Sequence, residues 1–315
     1  MFIWRSFDEA EEGLRGKAAG LSIGTFDGVH LGHQAVIAEL RRRARARSLV
    51  GMIMTFAGHP SSIVGGEKPP LIIPLERRLE IFESLGIEAA LVVPFDESLA
   101  ARAPEEFVRD CLSRTLKARL VVVGHDFRFG AGGRGDAGLL AALGRPLGME
   151  VVAVPPVMVD GVMVSSTAIR WSLAAGDVVA AGRYLGRPFA VRGEVVPGER
   201  RGRRLGFPTA NLRLDPGALW PRYGVYLVEI AVDASRHHGV ANVGVRPTFG
   251  GRDPGIEVFF LDYEADLYRA TIEVSFLRFL RPERRFATPD ELRAQIELDV
   301  ARARGLLAEG RFAQS

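Results

Sequence analysis

Gly24-Thr25-Phe26-Asp27-Gly28-Val29-His30-Leu31-Gly32-His33 is the stretch that decides the fold of the first half of this chain. It follows a short apolar run, residues 21–23, and opens a helical pattern from about residue 32 to residue 47. A strand that turns straight into a helix brings the unpaired N–H groups of the helix start to the strand's carboxyl end. The positive end of the helix dipole points the same way, and such a corner binds phosphate. Glycines at 24, 28 and 32 remove side chains that would hold a nucleotide off the backbone. His30 and His33, three residues apart, share one helix face. Alone they would read as ordinary helix-start histidines; the glycine frame and the preceding strand make them candidates for transfer at phosphorus, where positioning and charge stabilisation dominate. Zinc does not fit, because no cysteine or further histidine sits nearby at ligand spacing.

Outward from this corner, short apolar runs alternate with helical patterns. Strands are predicted at residues 21–23, 52–56, 89–93, 120–123 and 150–154, and helices at 36–46, 75–85, 104–116 and 139–143. That alternation implies βαβ units and a parallel sheet, with ligands at the strands' carboxyl ends. His30, His59 and Asp126 each fall just after a predicted strand. Ser165-Ser166-Thr167-Ala168-Ile169-Arg170 then opens a helix after an extended segment. Its hydroxyls, backbone N–H groups and guanidinium suit a second clamp on a polyphosphate. Gly176-Asp177 separates two short helices.

The pattern changes at Gly186-Arg187-Pro188. Strands are predicted at 189–196, 224–232, 238–243, 256–262 and 270–277, punctuated by Gly, Pro, Asn and Asp, which reads as an antiparallel barrel. Thr288-Pro289-Asp290-Glu291 is a capping box opening a terminal helix, with Leu292, Ile296, Val300, Ala303 and Leu307 as its apolar stripe. In Phe207-Pro208-Thr209-Ala210-Asn211-Leu212 a hydroxyl and an amide lie two apart, on one side of an extended chain, which suits a hard cation. The Gly- and Arg-rich stretch 198–206 reads either as an exposed hairpin tip or as a loop able to fold over phosphates. Glu257, flanked by Ile256 and Val258-Phe259-Phe260, is a carboxylate in an apolar strand; it is either outward-facing or a base for phosphoryl transfer to an alcohol.

The 315 residues suit two domains, set at residues 1–186 and 187–315. Lys+Arg exceed Asp+Glu by only 41 − 38 = 3, too little to argue for nucleic acid or an anionic membrane. The run Arg41-Arg42-Arg43-Ala44-Arg45-Ala46-Arg47 reads as a solvated helix face without aromatics for base stacking. The single cysteine, Cys111, reads as a buried structural thiol in a reducing compartment. No apolar run spans a bilayer and no signal-peptide core opens the chain, so the expected location is the cytoplasm.

GTFDGVHLGH together with SSTAIR resembles the HxGH nucleotidyltransferases, which transfer AMP from ATP to a phosphate acceptor. VVVGHDFRFG (residues 121–130), RRLGFPTANL (203–212), GVYLVEI (224–230), GVANVGVRPTFG (239–250), IEVFFLD (256–262) and FLRPERRF (279–286) then follow in order. From about residue 18 to 305 the chain resembles the bacterial bifunctional riboflavin kinase/FMN adenylyltransferases, or FAD synthetases. The resemblance implies a Rossmann-like α/β HxGH domain with a parallel sheet, followed by an antiparallel β-barrel riboflavin kinase domain with a terminal helix. It implies catalysis by His30, His33 and Glu257, the last as general base. It implies ATP contacts at Gly24, Phe26, Asp27, Gly32, Ser166, Thr167 and Arg170, flavin contacts at His59, Asp126, Phe127 and Arg128, and Mg²⁺ at Thr209 and Asn211. ATP is the co-substrate, riboflavin and FMN the acceptors, and FMN and FAD the products; no nucleic acid, membrane or obligate protein partner is expected. Four positions depart from the family's usual pattern: Ala57-Gly58 replace a Glu-Pro pair before His59-Pro60, Ala168 replaces an Arg, and Arg269 stands where a Gly often follows Tyr. Two other readings are weaker. A different HxGH adenylyltransferase with an accessory barrel leaves PTAN and Glu257 unexplained. A nucleic-acid-binding protein conflicts with the small net charge.

Overall fold

The structure, a computed structural model, describes residues 1–58, 69–198, 206–214, 217–233, 235–248, 251–263, 265 and 267–310. The chain forms two compact units, Met1–Ser166 and Thr167–Ser315.

The first unit is built on six parallel strands: β1 (Phe2–Trp4), β2 (Ala19–Ile23), β3 (Val50–Phe56), β4 (Ala89–Val93), β5 (Ala118–Gly124) and β6 (Glu150–Val154). Their order is β1-β4-β3-β2-β5-β6. β2, β3 and β4 bury every residue but Val50, as expected for a sheet covered on both faces. The chain runs from β2 to β3 and β4 on one side, then returns to lay β5 on the other. The reversal lies between β2 and β5, the place where open parallel sheets bind ligands. The 89–93 and 150–154 strands match expectation, and the others extend by a residue or more. The edge strand β1 and the helix Phe7–Leu14 were not expected. The segment expected as one helix at 104–116 is a short α-turn, Pro104–Glu106, followed by a π-helix, Phe107–Thr115. It closes with Leu116 N–H donating to Cys111 C=O. Cys111 is buried, and burial raises its thiol pKa. A two-stranded hairpin, β7 (Met158–Val159) and β8 (Val162–Met163), ends the unit.

The helix Ser166–Ala175 starts on the last residue of the first unit and otherwise belongs to the second; Val178–Leu185 follows, separated from it at Gly176-Asp177 as the sequence indicates. Its six antiparallel strands are β9 (Phe189–Val196), β10 (Thr209–Leu214), β11 (Gly224–Val232), β12 (Ser235–Thr248), β13 (Gly251–Phe260) and β14 (Thr271–Pro282). They close a barrel in the order β10-β13-β12-β11-β14-β9. The terminal helix, Pro289–Ala308, starts as predicted: Thr288 Oγ1 accepts from Glu291 N–H at 3.2 Å. It packs Ala303 against Val225, Leu227, Val240, Leu261 and Leu280, on the barrel's outer face. Asp299, 5% exposed, accepts from Arg281 Nε at 2.9 Å and Nη2 at 2.7 Å, fastening the helix to β14. Among the described residues no helix is long and apolar enough to cross a membrane.

Candidate active sites

The loop after β2 has an unusual backbone. Phe26, Gly28 and Val29 have φ of 50°, 83° and 40°. For a β-branched residue such as Val29 this is a genuine outlier, of a kind that clusters at functional sites. Val29 N–H donates to Phe26 C=O at 3.0 Å, and Gln34 Nε2 donates to Val29 C=O at 2.9 Å. His30 caps the helix Leu31–Ala46: its Nδ1 accepts from His33 N–H at 3.3 Å. That bond leaves the proton of a neutral His30 on Nε2. The two imidazoles stack, with centroids 3.6 Å apart and planes 18° off parallel. Gly32 sits close under this pair: a Cβ there would lie 3.1 Å from the His30 ring and press on it. His30 is 7% exposed, and His33 Nδ1 is buried without a partner. Burial, His30 and Arg78, in that order, hold the His33 pKa well below the usual imidazole value. The neutral imidazole of His33 is thereby favoured over its protonated form.

The other residues expected around the histidine corner are placed as follows. The Asp27 carboxylate is 1% exposed and accepts from Ile72 N–H at 3.0 Å, so it braces the loop. Ser166 donates to Asp27 C=O at 2.9 Å, which brings that hydroxyl to the histidine loop. Thr167 and Arg170 lie one and four residues further along the helix that Ser166 begins. Asp126 and Arg128 are exposed and Phe127 is half-buried, all just past β5 across the sheet's reversal point. The Phe127 ring stacks on Phe129 with centroids 5.6 Å apart. His59 lies outside the described residues. Within the arginine run, Arg42 and Arg43 pair with Glu39, Arg43 and Arg47 with Glu150, and Arg41 donates to Leu85 C=O.

In the barrel, strand register assembles the second set. Asn211 on β10 lies directly opposite Glu257 on β13, and Glu257 lies opposite Asn242 on β12. Directly opposed residues share a face, so an amide, a carboxylate and an amide form one row. Thr209 is on the same face, two residues along β10 and opposite Phe259. The row continues to Val225, one of the residues packed against the terminal helix, which puts it on the outer face. Asn211 is 7% exposed because Gly198 lies over its amide. A hydroxyl, an amide oxygen and a carboxylate so grouped are the oxygen donors that Mg²⁺ takes.

Three residues here were not singled out from sequence. Asn242 needs the β12–β13 register to be seen. Glu283 lies over the backbone of Gly244 and bonds the Asn242 side chain, and burial raises its pKa. Arg78 is 1% exposed on the helix Leu75–Ser84. Its only sequence signal is an arginine on the stripe that also carries Leu79 and Phe82.

Residues 15–168 match a family model described as FAD synthetase, and residues 185–307 one described as riboflavin kinase. The bifunctional riboflavin kinase/FMN adenylyltransferase of Escherichia coli strain K12 is 40% identical over 286 residues, 90% of this chain and 91% of that protein. The Bacillus subtilis protein of the same description is 37% identical over 289 residues, 90% of each chain. A crystal structure described as a macrolide-efflux protein from Streptococcus pneumoniae superposes with a TM-score of 0.87 at 30% identity, covering 96% of this chain and 99% of that one. With a histidine corner on the parallel sheet, a Thr-Asn-Glu row on the barrel and relatives aligned through both, this chain belongs to the bifunctional riboflavin kinase/FMN adenylyltransferase family.

Proposed function

We propose that the chain makes FAD in two ATP-dependent steps, each at its own residue set. In the first, riboflavin becomes FMN on the barrel. Glu257 takes the proton of the ribityl 5′-hydroxyl, the oxygen attacks the γ-phosphorus of ATP, and ADP leaves. Thr209 and Asn211 are the residues to hold Mg²⁺ and the ATP phosphates; bound there, the cation neutralises phosphate charge. In the second step, an FMN phosphate oxygen attacks the α-phosphorus of ATP and pyrophosphate leaves. The helix start, His30 and His33 stabilise charge on the α-phosphate. Gly24, Phe26, Asp27 and Gly32 shape the loop that receives the nucleotide. Ser166, Thr167 and Arg170 are proposed for the triphosphate, and His59, Asp126, Phe127 and Arg128 for the flavin nucleotide.

The observation that carries this reading is the β10–β13 register, which sets a candidate base opposite a candidate magnesium ligand in a unit that lacks the histidine pair. The domain boundary is proposed at residue 186/187, so that the helices of 166–185 serve adenylyl transfer. A cytoplasmic location is proposed from the single, buried, free cysteine.

The test is incubation with riboflavin, ATP and Mg²⁺, followed by chromatography of the flavins over time. FMN should appear first and FAD after it, and chelation of Mg²⁺ should stop both steps. Failure to convert riboflavin or supplied FMN would overturn the reading.

A further inference from the structure

Three consecutive residues of the histidine loop are held by one short segment, residues 72–82. Asp27 accepts from the N–H groups of Ile72 and Ile73 at 3.0 and 3.4 Å. The Phe26 ring meets Phe82 edge-on, with centroids 5.5 Å apart, and lies 5.1 Å from the His33 ring. Thr25 C=O accepts from Arg78 Nη1 and, at 3.2 Å, from Thr55 Oγ1. Arg78 Nη1 is also 3.2 Å from Thr55 Oγ1, and Nη2 donates to Phe56 C=O at 3.3 Å. Its Nε has no partner.

A guanidinium in the core is costly unless its donors are used. Here they serve the carbonyls at the ends of β2 and β3, where the sheet ladder stops and the loop begins. An apolar residue would fill the same space and leave Thr25 and Phe56 less well satisfied. The fork also fixes the Thr25 peptide, which sets Phe26 in its left-handed conformation at φ 50° and so lays the Phe26 ring against His33.

We propose that Arg78 is a positioning residue for adenylyl transfer, setting the His30–His33 pair through the Thr25–Phe26 backbone and the Phe26 ring. This rests on the adenylyltransferase reading of the histidine corner. Arg78 does not touch substrate; at 1% exposure it lies behind the site. Among the described residues, His30 and Arg78 act on His33, and Asp27 and Glu76 act on Arg78; the Arg78 charge opposes protonation of His33.

The experiment uses the full chain and follows FAD formation from FMN and ATP between pH 5.5 and 9, with riboflavin phosphorylation measured on the same preparations. Arg78→Lys keeps the charge and loses the fork. It should lower kcat for FAD formation about 10- to 100-fold, with KM for ATP and FMN changed less than about threefold. Its acid limb should stay in place. Arg78→Met should lower kcat and move the acid limb upward as well, because His33 no longer faces a cation. Thr55→Val removes one partner of the fork in nearly the same volume, and should lower kcat about three- to tenfold. It tests the proposal if the Arg78 variants do not fold. Riboflavin phosphorylation should match wild type throughout. Wild-type FAD formation with Arg78→Lys and Thr55→Val both within twofold of it would overturn the proposal. So would a loss that tracks only the folded fraction, with the Arg78→Met pH profile unmoved. Absence of FAD formation by the wild-type chain would instead overturn the adenylyltransferase reading.

Discussion

Gly198→Ala separates a site effect from a folding effect. A Cβ built on Gly198 falls 2.3 Å from Asn211 Nδ2, 2.5 Å from Cγ and 2.6 Å from Oδ1. Non-bonded carbon contacts lie near 3.5 Å, so the amide must retreat by about 1 Å. The β10 backbone is paired at Asn211 with β9 on one side and β13 on the other, so the strand stays and the side chain moves. Turning that side chain off its rotamer costs about 0.5–1.5 kcal/mol, a modest loss of stability. A 1 Å displacement of a ligand-positioning group costs about 100-fold in rate, or about 2.7 kcal/mol of barrier. Riboflavin phosphorylation should therefore fall about 100-fold while conversion of supplied FMN to FAD is unchanged. Both are read by chromatography on one preparation, beside a thermal melt. Phosphorylation within about threefold of wild type would refute the placement of Asn211 in the kinase site.

Other outcomes follow from the same geometry. Gly32→Ala presses a methyl to 3.1 Å from the His30 ring and should lower FAD formation about tenfold with FMN formation intact, measured by the same chromatography. His33→Ala should abolish FAD formation and spare FMN formation, and Glu257→Gln should do the reverse; a folded variant losing both activities would refute the two-site assignment. Burial, His30 and Arg78 depress the His33 pKa, so below about pH 6.5 the unfolded chain takes up a proton that the native site refuses. Stability should then fall as pH drops from about 6.5 through the native pKa, and thermal melts of His33→Gln over that range should show a shallower fall. Arg269 holds φ 69°, so Arg269→Gly should raise stability by about 0.5–1 kcal/mol, read as a higher melting temperature.

The parts of the fold that were legible in the sequence share a physical cause. β2 to β5 and the helix Leu31–Ala46 are long apolar or periodic runs, and their burial alone specifies them. The edge strand β1 was missed because it is three residues long, with Phe2 70% and Ile3 44% exposed. The π-helix at Phe107–Thr115 was missed because its apolar spacing is also that of an ordinary helix. Arg269 shows a different limit: the residue disfavours the left-handed turn that it adopts, and the ladder fixes it, with Arg269 N–H donating to Val195 C=O at 2.9 Å.

The two sites differ in legibility for a reason rooted in their architectures. At the carboxyl end of a parallel strand the chain passes directly into a helix, so strand end, loop, cap and both imidazoles occur within one contiguous stretch. That stretch can be read as a unit before anything is known of packing. What it omits is the support from the next crossover, where Ile72, ahead of the helix Leu75–Ser84, and Arg78 and Phe82 on it hold residues 25–27 from a segment that carries no motif of its own. An antiparallel barrel offers no such corner. Its row of Asn211, Glu257 and Asn242 draws one residue from each of three strands, and β10 and β12 meet only through β13. A shift of one residue in either pairing would turn the partner's side chain to the opposite face and dissolve the row. The proposed kinase site is therefore a property of register, and the closing of the barrel that fixes register matters to that proposal as much as Glu257 does.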